Sequence, residues 1–390
     1  MKIGLTICEY NPFHNGHLYS LNQIKQQLNP DALIVIMSGN FTQRGETAIM
    51  HKYERATHAI KAGADIVFEL PAVFATAPAE IFAKGAVKLL NEIKGEKTLC
   101  FGVESGDKSG LIATATALSN ETSELKNYIK QYLKEGNSLA KARYLALEKV
   151  GLKTVDLSLT TTPNNILALE YTKAIIENGY DMDILPITRT GTGYKSLETS
   201  SDICSAMAIR QFIQDNKKEN CKNFVPDYVY DDLPSILPSS DNLQVYSLAL
   251  KSKEQLKQIL DCTEGLENRI KQFLKDNLTK QALLQKLCTK RYTTTRLSRI
   301  MLSSMLDISA DFIKECLNEN LYLKVLAVKE NKLSLLSSLS GKIPFIMRKS
   351  DVDGLNGTAL KCFEKDIFAN DIYNQITSKK NNEYHTKIIK

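Results

Sequence analysis

The chain has 390 residues, 43% of them hydrophobic, with 50 Lys and Arg against 44 Asp and Glu, for a formal charge of +6. That length supports two or three domains with ample core, and the mild basic excess is compatible with a nucleic-acid partner without requiring one. The eight cysteines lie far apart, with no Cys-x-x-Cys and no Cys/His cluster, which argues against a structural zinc site and a secreted disulfide framework.

The first strand is expected over Ile3–Ile7, followed by a turn and then a helix with Leu18, Leu21 and Ile24 at helical spacing. Ala32–Met37 is a continuous apolar run of the kind shown by parallel strands buried on both faces. It leads into a polar loop, Ser38 to Glu46. A helix over about 52–62 stops at Gly63, a third strand runs from Asp65 to Leu70, and a helix over about 79–90 precedes a fourth strand at Thr98–Gly102. Strands alternating with helices in this way predict an α/β fold with a parallel, Rossmann-like sheet and right-handed crossovers. Residues 107–150 read as a helical insertion, Pro163 opens another helix, and Asp183–Ile187 is a fifth strand before the Arg189 turn. The boundaries expected are a catalytic domain over 1–225 and a mainly helical domain over 226–390, with Pro226–Asn242 as linker. In the second half, helices are expected over about 243–262, 279–288 and 293–306, with a short strand near Leu321–Val325. No run approaches the roughly 18–20 apolar residues of a membrane span, and Ile3–Ile7 is too short for a signal peptide, so a cytoplasmic protein with no membrane contact is expected.

The densest chemistry lies between the first strand and its helix, in Ile7-Cys8-Glu9-Tyr10-Asn11-Pro12-Phe13-His14-Asn15-Gly16-His17-Leu18-Tyr19-Ser20. The first amides of a helix lack internal partners and carry partial positive charge, so they can hold phosphate. Gly16 lets a phosphate chain approach the backbone, and His14 and His17 flank it as the catalytic pair, where charge builds during attack on the alpha phosphorus. The plain alternative is a strand–turn–helix with two incidental imidazoles. Ligands on parallel sheets bind beyond the carboxyl ends of the strands, which gathers the His14 turn, the Ser38–Glu46 loop and the Gly102 turn into one site. Ser38, Gly39, Gln43, Arg44 and Glu46 make up the loop expected to meet the second substrate, Arg44 being suited to a carboxylate or a phosphate. Ser205 and Arg210, at a helix start and one turn on, could grip the beta and gamma phosphates, or be only a cap and a surface cation. No P-loop and no Gly-x-Gly-x-x-Gly follow the first strand. Between Asp276 and Asp307 lie Lys280, Lys286, Lys290, Arg291, Arg296 and Arg299 with no acidic residue, and Tyr292 stands among them. Missing counter-charges and an aromatic favour RNA, so Lys286, Lys290, Arg291, Tyr292, Arg296 and Arg299 are the candidate RNA contacts.

The His-x-Gly-His turn is the signature of nucleotidyltransferases. The chain resembles, through most of its length, the bacterial tRNA(Met) cytidine acetate ligases of that superfamily. The resemblance rests on Glu9–His17, Met37-Ser38-Gly39 with Gln43–Glu46, Gly63–Asp65 through Pro71, Phe101-Gly102, Pro163–Leu167, the Arg189 turn, Ser205–Arg210, and Lys290–Thr293 with Thr295–Leu297. It implies that ATP and acetate form acetyl adenylate and pyrophosphate, and that the acetyl group passes to N4 of the wobble cytidine of elongator tRNA(Met). It further implies that ATP lies on residues 7–20 and meets Gly102, Asn165 and Arg189, with Mg2+ carried by the phosphates. Met207 departs from the family pattern, which usually has Thr or Ser there. Two other functions remain open at this stage. A small-molecule adenylyltransferase would leave the basic half idle, and a non-catalytic RNA-binding module would leave both histidines idle.

Overall fold

A computed structural model of the chain describes residues 1–151, 156–188, 204–276 and 278–390. Strand β1 (Lys2–Cys8) leads into helix α1 (Asn15–Leu28), then β2 (Ala32–Ser38), helix α2 (Lys52–Lys61) and β3 (Ile66–Leu70). A helix over Ala79–Asn91 crosses back to β4 (Glu96–Val103), and β5 (Asp183–Thr188) follows the Pro163–Asn178 helix. Three further strands come late in the chain: β6 (Leu323–Lys329), β7 (Phe345–Ile346) and β8 (Lys387–Ile389).

One sheet holds them all, in the order β5-β4-β1-β2-β3-β6-β7, with β8 also paired to β6. The first five strands are parallel, as the alternating strand–helix pattern dictates. All seven residues of β2 are buried because helices cover both faces, which is why its sequence is apolar without alternation. Ile34 and Ile36 face one layer with the Ala79 and Pro163 helices; Leu33, Val35 and Met37 face the other with α1 and α2. Each such side chain contributes about 1.5–3 kcal/mol by leaving water. The strand order reverses between β1 and β4, since β2 and β3 are added on one side of β1 and β4 and β5 on the other, so the topological switch point lies at their carboxyl ends. That is where the His14 turn and Gly102 sit.

The sheet differs from expectation at its other edge. β6 pairs antiparallel with β3, so the strand expected near Leu321 is not an isolated element. It covers an edge that would otherwise present unpaired backbone groups. A boundary at 225/226 therefore does not divide the sheet from the rest of the chain, and the later segment is helical chiefly between Asp241 and Asn318. That helical part has its own apolar cluster, built on Leu248, Leu266, Leu283 and Leu297. The helices Lys108–Ser119, Ser123–Lys134 and Leu139–Val150 pack against Leu169 and Ile176 as the expected insertion.

Candidate active site

β1 ends at Cys8, and the chain turns through Tyr10, whose φ of 47° lies in the sparsely allowed left-handed region. Asn11 fixes the turn from both sides. Its Oδ1 accepts the Ile49 backbone N–H at 2.8 Å, and its carbonyl accepts Arg210 Nη1 at 2.8 Å. Tyr10, Phe13 and His17 pack ring to ring, with centroids 4.8 Å apart for Tyr10–Phe13 and Tyr10–His17.

His14 is the N-cap of α1, and the two imidazoles stack with centroids 3.7 Å apart and planes at 24°. His14 Nδ1 accepts the Gly16 N–H at 3.1 Å, and His17 Nδ1 accepts the His14 N–H at 3.3 Å. A neutral imidazole that accepts at Nδ1 carries its proton on Nε2. The backbone of the turn therefore fixes both tautomers, and each ring presents an Nε2–H donor beside the positive end of the helix. Two oriented donors at a helix N-terminus stabilise charge on a phosphate without reorganising during the reaction.

The Ser38–Glu46 loop is tied to this turn. Gln43 N donates to Glu9 Oε1 at 2.8 Å, and Arg210 Nη2 lies 3.3 Å from Glu46 Oε2. Burial pushes the Glu9 carboxyl up, against the pull of the Gln43 N–H and of Arg210 and Arg44. The expected loop residues and Arg210 are thus brought to the turn that carries His14 and His17. Ser205 is the N-cap of its helix, its Oγ accepting Ala208 N at 3.1 Å. Arg210 holds the motif turn, so both side chains have partners within the protein.

Asn165 is fully buried and clamps the loop after β4. Its Oδ1 accepts Glu104 N at 2.9 Å and its Nδ2 donates to Ser105 Oγ at 2.9 Å, while Asn164 Nδ2 reaches Glu104 Oε1 at 2.6 Å. Gly102 lies beside them, near the end of β4. Arg189 lies outside the described residues.

Sequence reasoning missed the group that holds the loop in place. Arg55 is fully buried and donates to the carbonyls of Glu9, Ser38, Gly39 and Met50. Lys52 N donates to Asn40 Oδ1 at 2.9 Å. The Lys52 ammonium lies in a buried cluster, 2.7 Å from Glu69 Oε1 and 2.5 Å from Glu383 Oε1, and Lys324 contacts both carboxylates. Burial alone would push the Glu69 carboxyl up, but the charges of Lys52 and Lys324 bring it below the usual range. The only sequence signal was three cations in one short helix next to the site, a pattern that usually marks a solvated face.

The basic stretch needs correction. The counter-charges absent from the run come from outside or at its edge: Asp241 to Lys280 (3.0 Å), Asp276 to Lys286 (2.7 Å) and Glu264 to Arg291 (2.6 Å). Tyr292 is buried in the helical core with the Arg296 guanidinium 5.0 Å over its ring, so it offers no open face for a base. Arg296 donates to the Asp261 carbonyl, and Arg299 is mostly buried. Lys286, Lys290 and Arg291 stay exposed. These helices nevertheless touch the site: a Cβ on Gly45 would lie 2.4 Å from the Ser298 carbonyl carbon, and Thr47 Oγ1 meets Ser240 Oγ at 2.8 Å.

Among the described residues, no three His, Cys, Asp or Glu side chains are grouped to hold a metal ion, and no helix is long and apolar enough to cross a membrane. A parallel sheet with a paired-imidazole helix start at its switch point defines an enzyme of the nucleotidyltransferase type. The model of the HIGH Nucleotidyl Transferase family matches residues 1–387. A tRNA(Met) cytidine acetate ligase of Thermoanaerobacter sp. (strain X514) is 39% identical over 379 residues, covering 94% of this chain and 93% of that one. One from Caldicellulosiruptor saccharolyticus is 38% identical over 394 residues, covering 99% and 96%. The crystal structure of Thermotoga maritima TmcAL bound with alpha-thio ATP superposes with a TM-score of 0.89 at 27% identity, covering 98% and 97%. The chain belongs to the HIGH nucleotidyl transferases and, within them, to the family of tRNA(Met) cytidine acetate ligases.

Proposed function

We propose that the protein activates acetate with ATP and transfers the acetyl group to N4 of the wobble cytidine of elongator tRNA(Met), in the cytoplasm. The observation that carries this reading is the pair of Nε2–H donors fixed at the start of α1, tied through Glu9 and Arg210 to a polar loop suited to a second substrate. ATP would lie along residues 7–20 with its phosphates on α1, and Gly102 and Arg189 would contact it beside the loop that Asn165 clamps. Mg2+ would arrive as the counter-ion of ATP. An acetate oxygen attacks the alpha phosphorus, the bond to the beta-phosphate oxygen breaks, and pyrophosphate leaves. His14 and His17 donate to the phosphate oxygens as charge builds. The N4 amine then attacks the acetyl carbon, the bond to the phosphate oxygen of AMP breaks, and the amine loses a proton.

Arg210 and Ser205 serve in this scheme by holding the motif turn and the neighbouring helix. Lys286, Lys290 and Arg291 are the exposed cations suited to the tRNA backbone. The wobble base suits the site because an anticodon loop leaves its amine unpaired. The test is to incubate the protein with ATP, carbon-labelled acetate and elongator tRNA(Met). Acetyl adenylate and labelled tRNA are expected. Acetyl adenylate without labelled tRNA would refute the transfer step, and neither product would refute the whole reading.

A further inference from the structure

Two hydrogen-bond donors at the catalytic edge have no partner among the described residues: the Ser38 hydroxyl and the side-chain amide nitrogen of Gln43. Buried polar groups are bonded in the great majority of cases, so two orphans on one loop call for an explanation. Ser38 is the last residue of β2 and is fully buried. Cys8 pairs with Met37 in the parallel ladder, which brings Glu9 level with Ser38. Strand alternation puts Ser38 on the face of Ile34 and Ile36, and Glu9 on the face of Leu5 and Ile7 in the same layer. Gln43 reaches this point because its backbone N–H is bonded to the Glu9 carboxylate. Arg55 locks the arrangement by donating to the carbonyls of both Glu9 and Ser38.

We infer that Ser38 Oγ and Gln43 Nε2 hold the carboxylate of the acid that is activated. A carboxylate only accepts hydrogen bonds, and a hydroxyl with an amide NH2 supplies donors for its two oxygens. Neutral donors also suit the chemistry. The acid must attack phosphorus through one of those oxygens, and a full ion pair would stabilise the ground state more than the transition state. The nearby cations are already balanced, since Arg210 pairs with Glu46 and both Arg210 and Arg44 act on Glu9. The site lies at the end of β2, whose neighbour β1 runs into the His14 turn, so the acid is placed beside the phosphates.

The inference rests on the acetate-activation reading, and the experiment separates the two. Neither orphan atom is bonded to any of the described residues, so Ser38→Ala and Gln43→Glu remove no bond seen among them. The assay is acetate-dependent exchange of labelled pyrophosphate into ATP, run against acetate and against ATP. Ser38→Ala should raise the KM for acetate about tenfold, the scale of one hydrogen bond to a charged group, and leave the KM for ATP within about twofold. Gln43→Glu, which puts a like charge beside the substrate, should abolish exchange at acetate concentrations that saturate the wild type, with ATP binding retained. An unchanged acetate KM in Ser38→Ala, or equal rises for acetate and ATP, would overturn the inference. So would a lowered unfolding temperature for Ser38→Ala, which would mean that the hydroxyl is bonded inside the fold. Absence of exchange in the wild type would instead overturn the activation reading.

Discussion

Acid should loosen the catalytic loop through one buried histidine. His51 is the N-cap of α2, its Nδ1 accepting Tyr53 N at 3.3 Å while its Nε2 reaches Asn370 Oδ1 at 2.8 Å. That bonding requires the neutral ring with its proton on Nε2. Protonating Nδ1 would set two N–H groups against each other and place a cation beside Lys52. Burial, reinforced by the Lys52 charge, accordingly lowers the His51 pKa from 6.5 to about 3. The sign follows directly. The unfolded chain takes up a proton below about pH 6.5 and the folded chain does not, so stability is complete above that pH and is lost as pH falls towards 3. Each pH unit costs about 1.4 kcal/mol, which makes about 2 kcal/mol between pH 6.5 and 5. His51→Asn keeps a good cap and removes the titration. It should cost about 1 kcal/mol at pH 7 for the lost bond to Asn370, yet overtake the wild type near pH 5. Urea unfolding of both proteins at pH 7, 6 and 5 gives the comparison. Asp366, whose carboxyl burial pushes up to about 7, titrates in the opposite sense over the same range. It is present in both proteins and cancels in the difference. Parallel decline of the two proteins between pH 7 and 5 would refute the argument.

Further expectations concern chemistry and docking. His17→Ala should lower acetyl adenylate formation by about 10²- to 10³-fold, the scale for one electrostatic donor, with a much smaller change in ATP affinity by equilibrium binding. Arg55→Met leaves four carbonyls without their donor and should destabilise by about 3 kcal/mol or more; urea unfolding within 1 kcal/mol of wild type would count against its role. Lys290→Ala with Arg291→Ala should spare acetyl adenylate formation but reduce the salt slope of tRNA binding by about one unit per lost phosphate contact. A tRNA carrying uridine at the wobble position should bind and take up no labelled acetate.

The parts of the fold legible in the sequence were those set by local pattern. The uninterrupted apolar run of β2 could only be a strand covered on both faces, and the coincidence of strand, glycine, two imidazoles and helix start marked the site. What stayed hidden depended on partners distant in the chain. The helix expected over 243–262 breaks at Ser252 because Ser252 and Gln255 form a reciprocal cap that starts a new helix, a local Ser-x-x-Gln signal that the apolar spacing masked. β6 was visible as a short strand, but nothing local says that it joins β3 antiparallel. Counting charges within residues 276–307 suggested an open basic face, whereas Asp241 from an earlier helix and Glu264 from an earlier turn pair with it. Arg55 and Lys52 drew no attention in the sequence because most of the carbonyls and carboxylates that they meet come from the ends of β1 and β2, from β3 and from Glu383.

The Lys52–Glu69–Lys324–Glu383 cluster ties the seating of α2 to residues far later in the chain. Helix α2 and strands β1 to β3 leave the ribosome long before Lys324 and Glu383 do. Until Lys324 arrives, Lys52 has Glu69 alone. Once Lys324 is in place and before Glu383 joins, two ammonium groups share one carboxylate in a site that water scarcely reaches. A buried unpaired charge of that kind costs several kcal/mol, enough to keep α2 from seating and the loop it anchors from closing. A chain interrupted a few residues short of Glu383 would carry every residue of the His14 turn and the Ser38–Glu46 loop and still present them unassembled, open to proteases.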